Sequence, residues 1–413
     1  MKKIILILIV ILISFQITEA QWMNQVSGTN RTLYDMEFLN KNTGWVVGVG
    51  GTIRKTTNGG MNWFEITHPV GTRLLSSIHL IDSNYAYIVG DFETIIKTTD
   101  GGNSWVVIRY GAIGEGDSYE GVFFINKDTG WICGTGEKVL RTTNGGITID
   151  SSRLFWGYLM DIYFKDANTG VLTTIGNIFK TSNGGLNWNS VNIQLHSTFP
   201  EFKKVTFVNN KFGWVVSKSG NRTIYKTSDF GSNWDSINII PAFPNWLYCI
   251  EFSDSLCGWV GGEQGTIYNT RDGGLNWFQQ NSNTNNLITS MWFFNDSLGW
   301  TSCGFGGILN TTNGGLTHIN SIKTMKNNFR LFQNYPNPFN PITQISYELQ
   351  TPSFVSLRVY DILGNVVETL VEKIVYAGLH SVEWGGTNFS SGIYFYRLIT
   401  GEFSETKKMI LKK

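Results

Sequence analysis

GTIRKTTNGGMNW, Gly51–Trp63, reads as half a β-hairpin: Thr52 and Ile53 precede an Asn-Gly-Gly turn, and a tryptophan follows it. Glycines beside Lys55 and Thr56 superficially suit a phosphate cradle, but that chemistry requires a Gly-Lys-Ser/Thr order opening a helix, and no helical period follows. The stretch instead returns six times, as ETIIKTTDGGNSW, EKVLRTTNGGITI, GNIFKTSNGGLNW, RTIYKTSDFGSNW, GTIYNTRDGGLNW and GGILNTTNGGLTH. Ahead of each copy stands a second marker, at Trp45, Tyr87, Trp131, Val171, Trp214, Trp259 and Trp300, with successive spacings of 42, 44, 40, 43, 45 and 41 residues. Each unit opens on alternating apolar residues such as LYDMEFL or LMDIYF, the two-residue period of a half-buried strand. Four short strands per unit and seven units predict an all-β chain: a seven-bladed β-propeller, whose ring protects its strand edges.

The repeated Ser/Thr-x-Asp/Asn-x-Gly-x-x-Trp resembles the Asp-box. With its Gly-Trp marker, the whole unit resembles the photosystem II stability and assembly factor-like propeller family over about Gln21 to Ile322. That resemblance implies a box lying in the turn between third and fourth strands. Asn58, Asp100, Asn144, Asn183, Asp229, Asp272 and Asn313 are each able to hydrogen-bond their own turn, so the boxes read as architecture; seven copies spread round a ring cannot form one site. Ten of the 15 tryptophans are markers or box residues and are assigned to the core. Ile149 and His318 replace the box tryptophan, which predicts looser packing in blades three and seven. The segment at Trp22 resembles a fourth strand and is expected to close the ring by pairing into the last blade.

The chain has 413 residues, is 41% hydrophobic and 15% charged, and carries 32 Lys and Arg against 31 Asp and Glu. A net charge of +1 gives no electrostatic footprint for nucleic acid or anionic membrane. Residues 1–20 read as a signal peptide: Lys2 and Lys3, an apolar run too short to span a bilayer, then small residues ahead of Gln21. Neither the four cysteines nor the five histidines fall in a metal or redox spacing, so no metal and no cofactor is expected. Cys249 and Cys257 can bridge only in a register that the sequence leaves open.

The texture changes near Asn327, where NYPNPFNP (334–341) precedes a series of alternating strands that reads as a small β-sandwich. This segment, taken as 326–413 after a propeller of 21–325, closely resembles the type A C-terminal sorting domain of the type IX secretion system. The matching residues are Asn334, Pro336, Asn337, Pro338, Phe339, Asn340 and Pro341, then Tyr360, Asp361, Leu363 and Gly364, then Ser391, Gly392, Tyr394, Tyr396, Lys407 and Lys408. The resemblance implies passage through the periplasm and across the outer membrane by the type IX machinery, then release or surface attachment, with no transmembrane segment in the mature chain.

Asp-boxes also occur in sialidases, which need an arginine cluster and converging carboxylates. Few arginines, no Arg-Ile-Pro motif and no paired carboxylates at recurring inner-strand positions are visible here, so no catalytic residue is assigned. The expected function is non-catalytic binding of an extracellular protein or glycan, with a degenerate glycoside hydrolase as the alternative. Candidate contacts on the loops of the expected funnel are Trp156, Trp246, Arg73, Arg153, Glu115 and Asp117, the acidic loop being a solvated loop before it is a cation site. Asp-Ser-Ile/Leu at Ser236, Ser255 and Ser297 resembles a short bacterial O-glycosylation motif.

Overall fold

The computed structural model describes residues 22–154, 157–193, 200–218, 224–237, 245–315, 329–349, 353–362, 364–376, 378–400 and 403–413. Seven antiparallel sheets follow one another along the chain. Blade 1 is Leu33–Phe38, Gly44–Gly48, Thr52–Thr56 and Phe64–Glu65, and blade 2 is Leu75–Leu80, Ala86–Gly90, Thr94–Thr98 and Val106–Arg109. The inner strands of blades 3 to 7 are Tyr119–Phe124, Leu159–Phe164, Phe202–Val208, Leu247–Phe252 and Ile288–Phe293. Each inner strand lies against the inner strands of its two neighbours, and blade 7 against blade 1, so the ring is closed.

The Asp-box is an inter-blade connector. In blade 1 the Thr56 hydroxyl donates to Asn58 Oδ1 (3.0 Å) and accepts from Gly60 N (2.8 Å), while Asn58 Oδ1 accepts from Asn62 N (3.0 Å). The carbonyl this turn leaves outward is taken by the preceding blade. Trp131 Nε1 donates to Gly184 O at 2.8 Å, Trp214 to Gly273 O at 3.1 Å, Trp259 to Gly314 O at 3.0 Å, and Trp300 to Gly59 O at 3.0 Å across the closure. Third-strand lysines repeat the link, Lys55 Nζ reaching Gly101 O and Lys97 Nζ reaching Gly145 O, both at 2.7 Å. Marker indoles also stack on the inner-strand phenylalanine of the next blade, 3.5 Å between Trp131 and Phe164. The glycine of the marker has a steric cause: a Cβ on Gly130 would stand 2.3 Å from the Phe124 ring, which covers it.

Met23–Gln25 forms the outer strand of blade 7, Met23 opposite Asn310 and Gln25 opposite Ile308, as expected of the N-terminal segment. The expected looseness of this blade does not follow, because Trp22 takes the place of the missing box tryptophan. Trp22 is 1% exposed and meets Phe293 edge-on at 5.9 Å and 89°, as Trp63 meets Phe38 at 5.9 Å and 89°. Its Nε1 donates to Gln280 Oε1 (2.9 Å), and Gln280 Nε2 donates to Gly314 O (2.7 Å). His318 itself lies outside the described residues. In blade 3, by contrast, Ile149 leaves an apolar void of about 10 Å³ beside Phe124 and Ile108, where an indole would fill space.

The C-terminal unit packs a three-stranded sheet, Phe329–Leu331, Ile342–Leu349 and Gly378–Gly385, over a four-stranded one, Val366–Val375, Ser353–Tyr360, Gly392–Thr400 and Phe403–Leu411. One core of Leu357, Trp384, Tyr396 and Leu398 joins the two sheets. Residues 316–328, where the boundary between units falls, lie outside the described residues, as do the signal peptide and Leu363.

Candidate functional site: the axial channel and its mouth

Every inner strand carries the same irregularity. The register shifts between Leu33 and Asp35, Leu75 and Ser77, Tyr119 and Gly121, Leu159 and Asp161, Phe202 and Lys204, Leu247 and Cys249, and Ile288 and Ser290. Such a β-bulge adds one unpaired residue and re-aims the side chains beside it. The residue ahead of the bulge is apolar and buried in all seven blades. The bulged residue itself is Tyr34, Ser76, Glu120, Met160, Lys203, Tyr248 or Thr289, and the next is Asp35, Ser77, Gly121, Asp161, Lys204, Cys249 or Ser290. Two residues further along stand Glu37, His79, Phe123, Tyr163, Thr206, Glu251 and Trp292.

The deeper residues line an axial cavity of about 210 Å³. Here the structure corrects the expectation that no carboxylates converge: Asp35, Glu37, Asp161 and Glu251 do, and His79 joins them. Asp35 accepts from Met36 N, Ile78 N, Ser77 Oγ and Ser290 Oγ at 2.8–3.1 Å, tying blade 1 to blades 2 and 7. Glu37 Oε2 accepts from Leu80 N (2.8 Å), with His79 Nδ1 3.5 Å away, and His79 Nε2 lies 2.9 Å from Phe124 O. Asp161 accepts from Val205 N (3.0 Å) and pairs with Lys204 at 3.4 Å. Burial pushes the Glu37 and Glu251 carboxyls up to about 8 and the His79 imidazole down to about 4. Burial also disfavours the Lys204 ammonium, but Asp161, Asp35 and Glu251 outweigh it and hold the group above its usual range.

At the mouth, side chains from distant blades meet. Partial burial raises the Tyr34 phenol, and the carboxylates of Glu120 and Asp91 and the Tyr248 phenol add to the shift. Lys218 Nζ lies 4.8 Å from the Trp246 ring and 5.0 Å from that of Tyr248, and Glu201 pairs with Lys203 (3.0 Å) and Lys218 (3.6 Å). Tyr34 is 39% exposed and Trp246 42%.

The candidate contacts separate on this geometry. Trp246 stands exposed at the mouth. Arg73 is a scaffold group instead: it is buried, its Nη1 and Nη2 donate to Phe92 O (2.9 Å) and Gly111 O (2.6 Å), and its guanidinium sits 3.4 Å from the Tyr110 ring. Glu115 lies on an exposed loop, Asp117 faces Lys138 at 3.6 Å, and Arg153 faces Glu137 at 3.3 Å. Trp156 lies outside the described residues. Ser255 is buried, which removes it from the exposed Asp-Ser-Leu sites, and Ser297 Oγ is bonded to Asp296 Oδ1 (2.7 Å).

In the C-terminal unit the motif residues are structural. Buried Asn334 donates from Nδ2 to Pro336 O (3.1 Å) and Thr343 Oγ1 (2.9 Å), and its own N–H donates to Tyr396 Oη (2.8 Å). Asn337 Oδ1 accepts from Ile410 N (2.9 Å), Phe339 packs on Trp384, Asp361 accepts from Asn365 N (2.9 Å), and Ser391 Oγ accepts from Lys413 N (3.0 Å).

Fold and channel together define a secreted-type β-propeller with a separate β-sandwich tail. The family model of the photosynthesis system II assembly factor YCF48 matches residues 15–119, 66–156 and 155–285, more than half of the chain, and the chain belongs to that family. The model of the secretion system C-terminal sorting domain matches 333–412, which marks the chain for type IX secretion or cell-surface attachment. No curated protein sequence matches the chain. Among solved structures, YCF48 bound to a D1 peptide is 20% identical with a TM-score of 0.60, covering 71% of this chain and 97% of that one. YCF48 from Cyanidioschyzon merolae is 17% identical with a TM-score of 0.58, covering 70% and 98%. An ancestral GH74 enzyme is 13% identical with a TM-score of 0.54, covering 92% and 60%. At these identities the likeness is one of fold. Among the described residues no helix is long and apolar enough to cross a membrane.

Proposed function

We propose that the propeller is a non-catalytic binding module that receives an extended segment of a partner protein across the mouth of its axial channel. One observation carries this reading. Architecture dictates the residue ahead of each bulge, which is apolar in every blade, whereas the bulged residue differs in character around the ring and is aimed at a shared mouth. Side chains that vary where the scaffold repeats are the ones a partner can read. A related propeller whose solved structure contains a bound peptide supports the same use of the fold.

Against hydrolysis, the channel carboxyls are engaged in holding blades together: Asp35, Glu37 and Asp161 accept neighbouring backbone N–H groups, and Glu251 accepts from Thr206 Oγ1 (3.3 Å). The raised Glu37 and Glu251 are the groups a hydrolase reading would use as acids. The test is panning of a phage-displayed random peptide library on the full chain, in parallel with a glycan array. Peptide enrichment lost in Tyr34→Ala or Trp246→Ala supports the reading. Glycan retention that depends on Trp246 replaces the protein partner by a sugar. Sugar removal abolished by Glu37→Gln or Glu251→Gln installs the hydrolase in its place.

A further inference from the structure

We propose that Phe305 is a ligand-contact residue of this mouth, the apolar anchor for a partner segment that carries a basic side chain beside an apolar one. The assignment rests on the peptide-binding reading and deepens it. Phe305 sits at the tip of the turn between second and third strands of blade 7, 76% exposed, with φ 54 and ψ 33. That left-handed conformation is unfavourable for any residue with a Cβ, and more so for a bulky one. Blades 1, 3 and 4 meet the same turn with Gly50, Gly136 and Gly176, at φ 68, 78 and 104. Blade 2 uses Phe92 at φ 54, but that ring is half-buried near the Arg73 guanidinium, at 5.6 Å, and so has a packing role. The Phe305 ring makes no ring contact among the described residues; only its backbone N–H is engaged, with Thr32 Oγ1 at 3.5 Å. The chain therefore holds a large apolar side chain in water on a strained backbone, at a position where glycine serves the fold better.

Its surroundings point to the occupant. The turn packs against the inner strand of blade 1, the strand that carries Tyr34. Tyr34 in turn feels the carboxylates of Asp91 and Glu120. Neither of these carboxylates forms a salt bridge among the described residues, and Lys203 acts on Glu120 only at longer range. An aromatic pair flanked by uncommitted negative charge complements an apolar side chain adjacent to Lys or Arg, through stacking and cation–π contact.

The test uses the peptide most enriched on the full wild-type chain, resynthesised, with Phe305→Gly and Glu120→Gln. We expect Phe305→Gly to weaken binding by about tenfold or more, as for a central aromatic anchor, while Tm stays level or rises. Glu120→Gln should weaken binding and flatten its salt dependence. Full affinity in Phe305→Gly overturns the assignment, and a fall in its Tm shows a structural side chain instead. Enriched peptides without basic residues, or unaffected by Glu120→Gln, overturn the charge assignment. A library that yields no binder to the wild-type chain overturns the peptide-binding reading itself, and the anchor with it.

Discussion

Replacing Trp22 by alanine tests whether the ring is locked from its N-terminus. The indole is buried, meets Phe293 edge-on and donates to Gln280, which itself braces Gly314 of the same blade. Truncating a buried tryptophan costs about 3–5 kcal/mol, and stranding the Gln280 amide adds about 1 kcal/mol more. Against a typical stability of roughly 5–15 kcal/mol this is a large loss. Denaturant unfolding of the full chain should show the propeller transition moving to lower midpoint by that amount. Trp22→Phe, which keeps a ring and loses the hydrogen bond, should recover most of it. Amide exchange should accelerate selectively in Ile308–Thr311, the strand that Met23–Gln25 covers. A loss below about 1 kcal/mol, or unchanged protection of Ile308–Thr311, would refute the view that Trp22 substitutes for the absent box residue.

Glu37 and Glu251 keep their protons up to about pH 8 in the folded chain but release them near 4.5 when unfolded, so the folded state binds more protons in that window and stability falls as pH rises through it. His79, held neutral down to about 4 when folded against 6.5 unfolded, makes stability rise across that lower interval. The two tendencies partly cancel below pH 6.5. Denaturation midpoints should therefore decline between about 6.5 and 8, by at most about 1.4 kcal/mol per pH unit per carboxyl and by less for Glu37, 24% of whose side chain faces the channel. Glu37→Gln with Glu251→Gln should flatten the decline, and a flat wild-type profile would contradict the assignment. The four cysteines are free, three of them buried, and burial pushes Cys257 and Cys303 up to about 12. A thiol reagent at neutral pH should label the native chain slowly and find all four thiols only in denaturant. Rapid native labelling would show that the blades open.

The repeat was legible because its residues answer to one local geometry seven times over. Thr56, Asn58 and Gly60 bond to each other within five residues, so their spacing alone announces the turn. The closing strand was legible for the same reason. What Trp22 does there was not, because the partner Phe293 is remote in sequence and reached only when the ring is complete. The channel escaped for a different reason. Strict alternation along LYDMEFL separates Tyr34 and Asp35 onto opposite faces, whereas the bulge between Leu33 and Asp35 breaks that alternation. Asp35, Asp161 and Lys204 also occupy equivalent positions with dissimilar residues, so a search for recurrence passes over them. Arg73 was placed on the correct loop but faces inward, since the carbonyls of Phe92 and Gly111 that claim it lie 19 and 38 residues away.

Because the outer strand of blade 7 comes from Met23–Gln25, the seven sheets use no residue beyond Thr311. Most linear chains would have to spend their last segment on sealing such a ring. Here the C-terminal end is left outside the hydrogen-bond ladders of the propeller, so a protease can sever the tail without unzipping a blade. The export label is thereby disposable, and what it delivers stays sealed after it is gone.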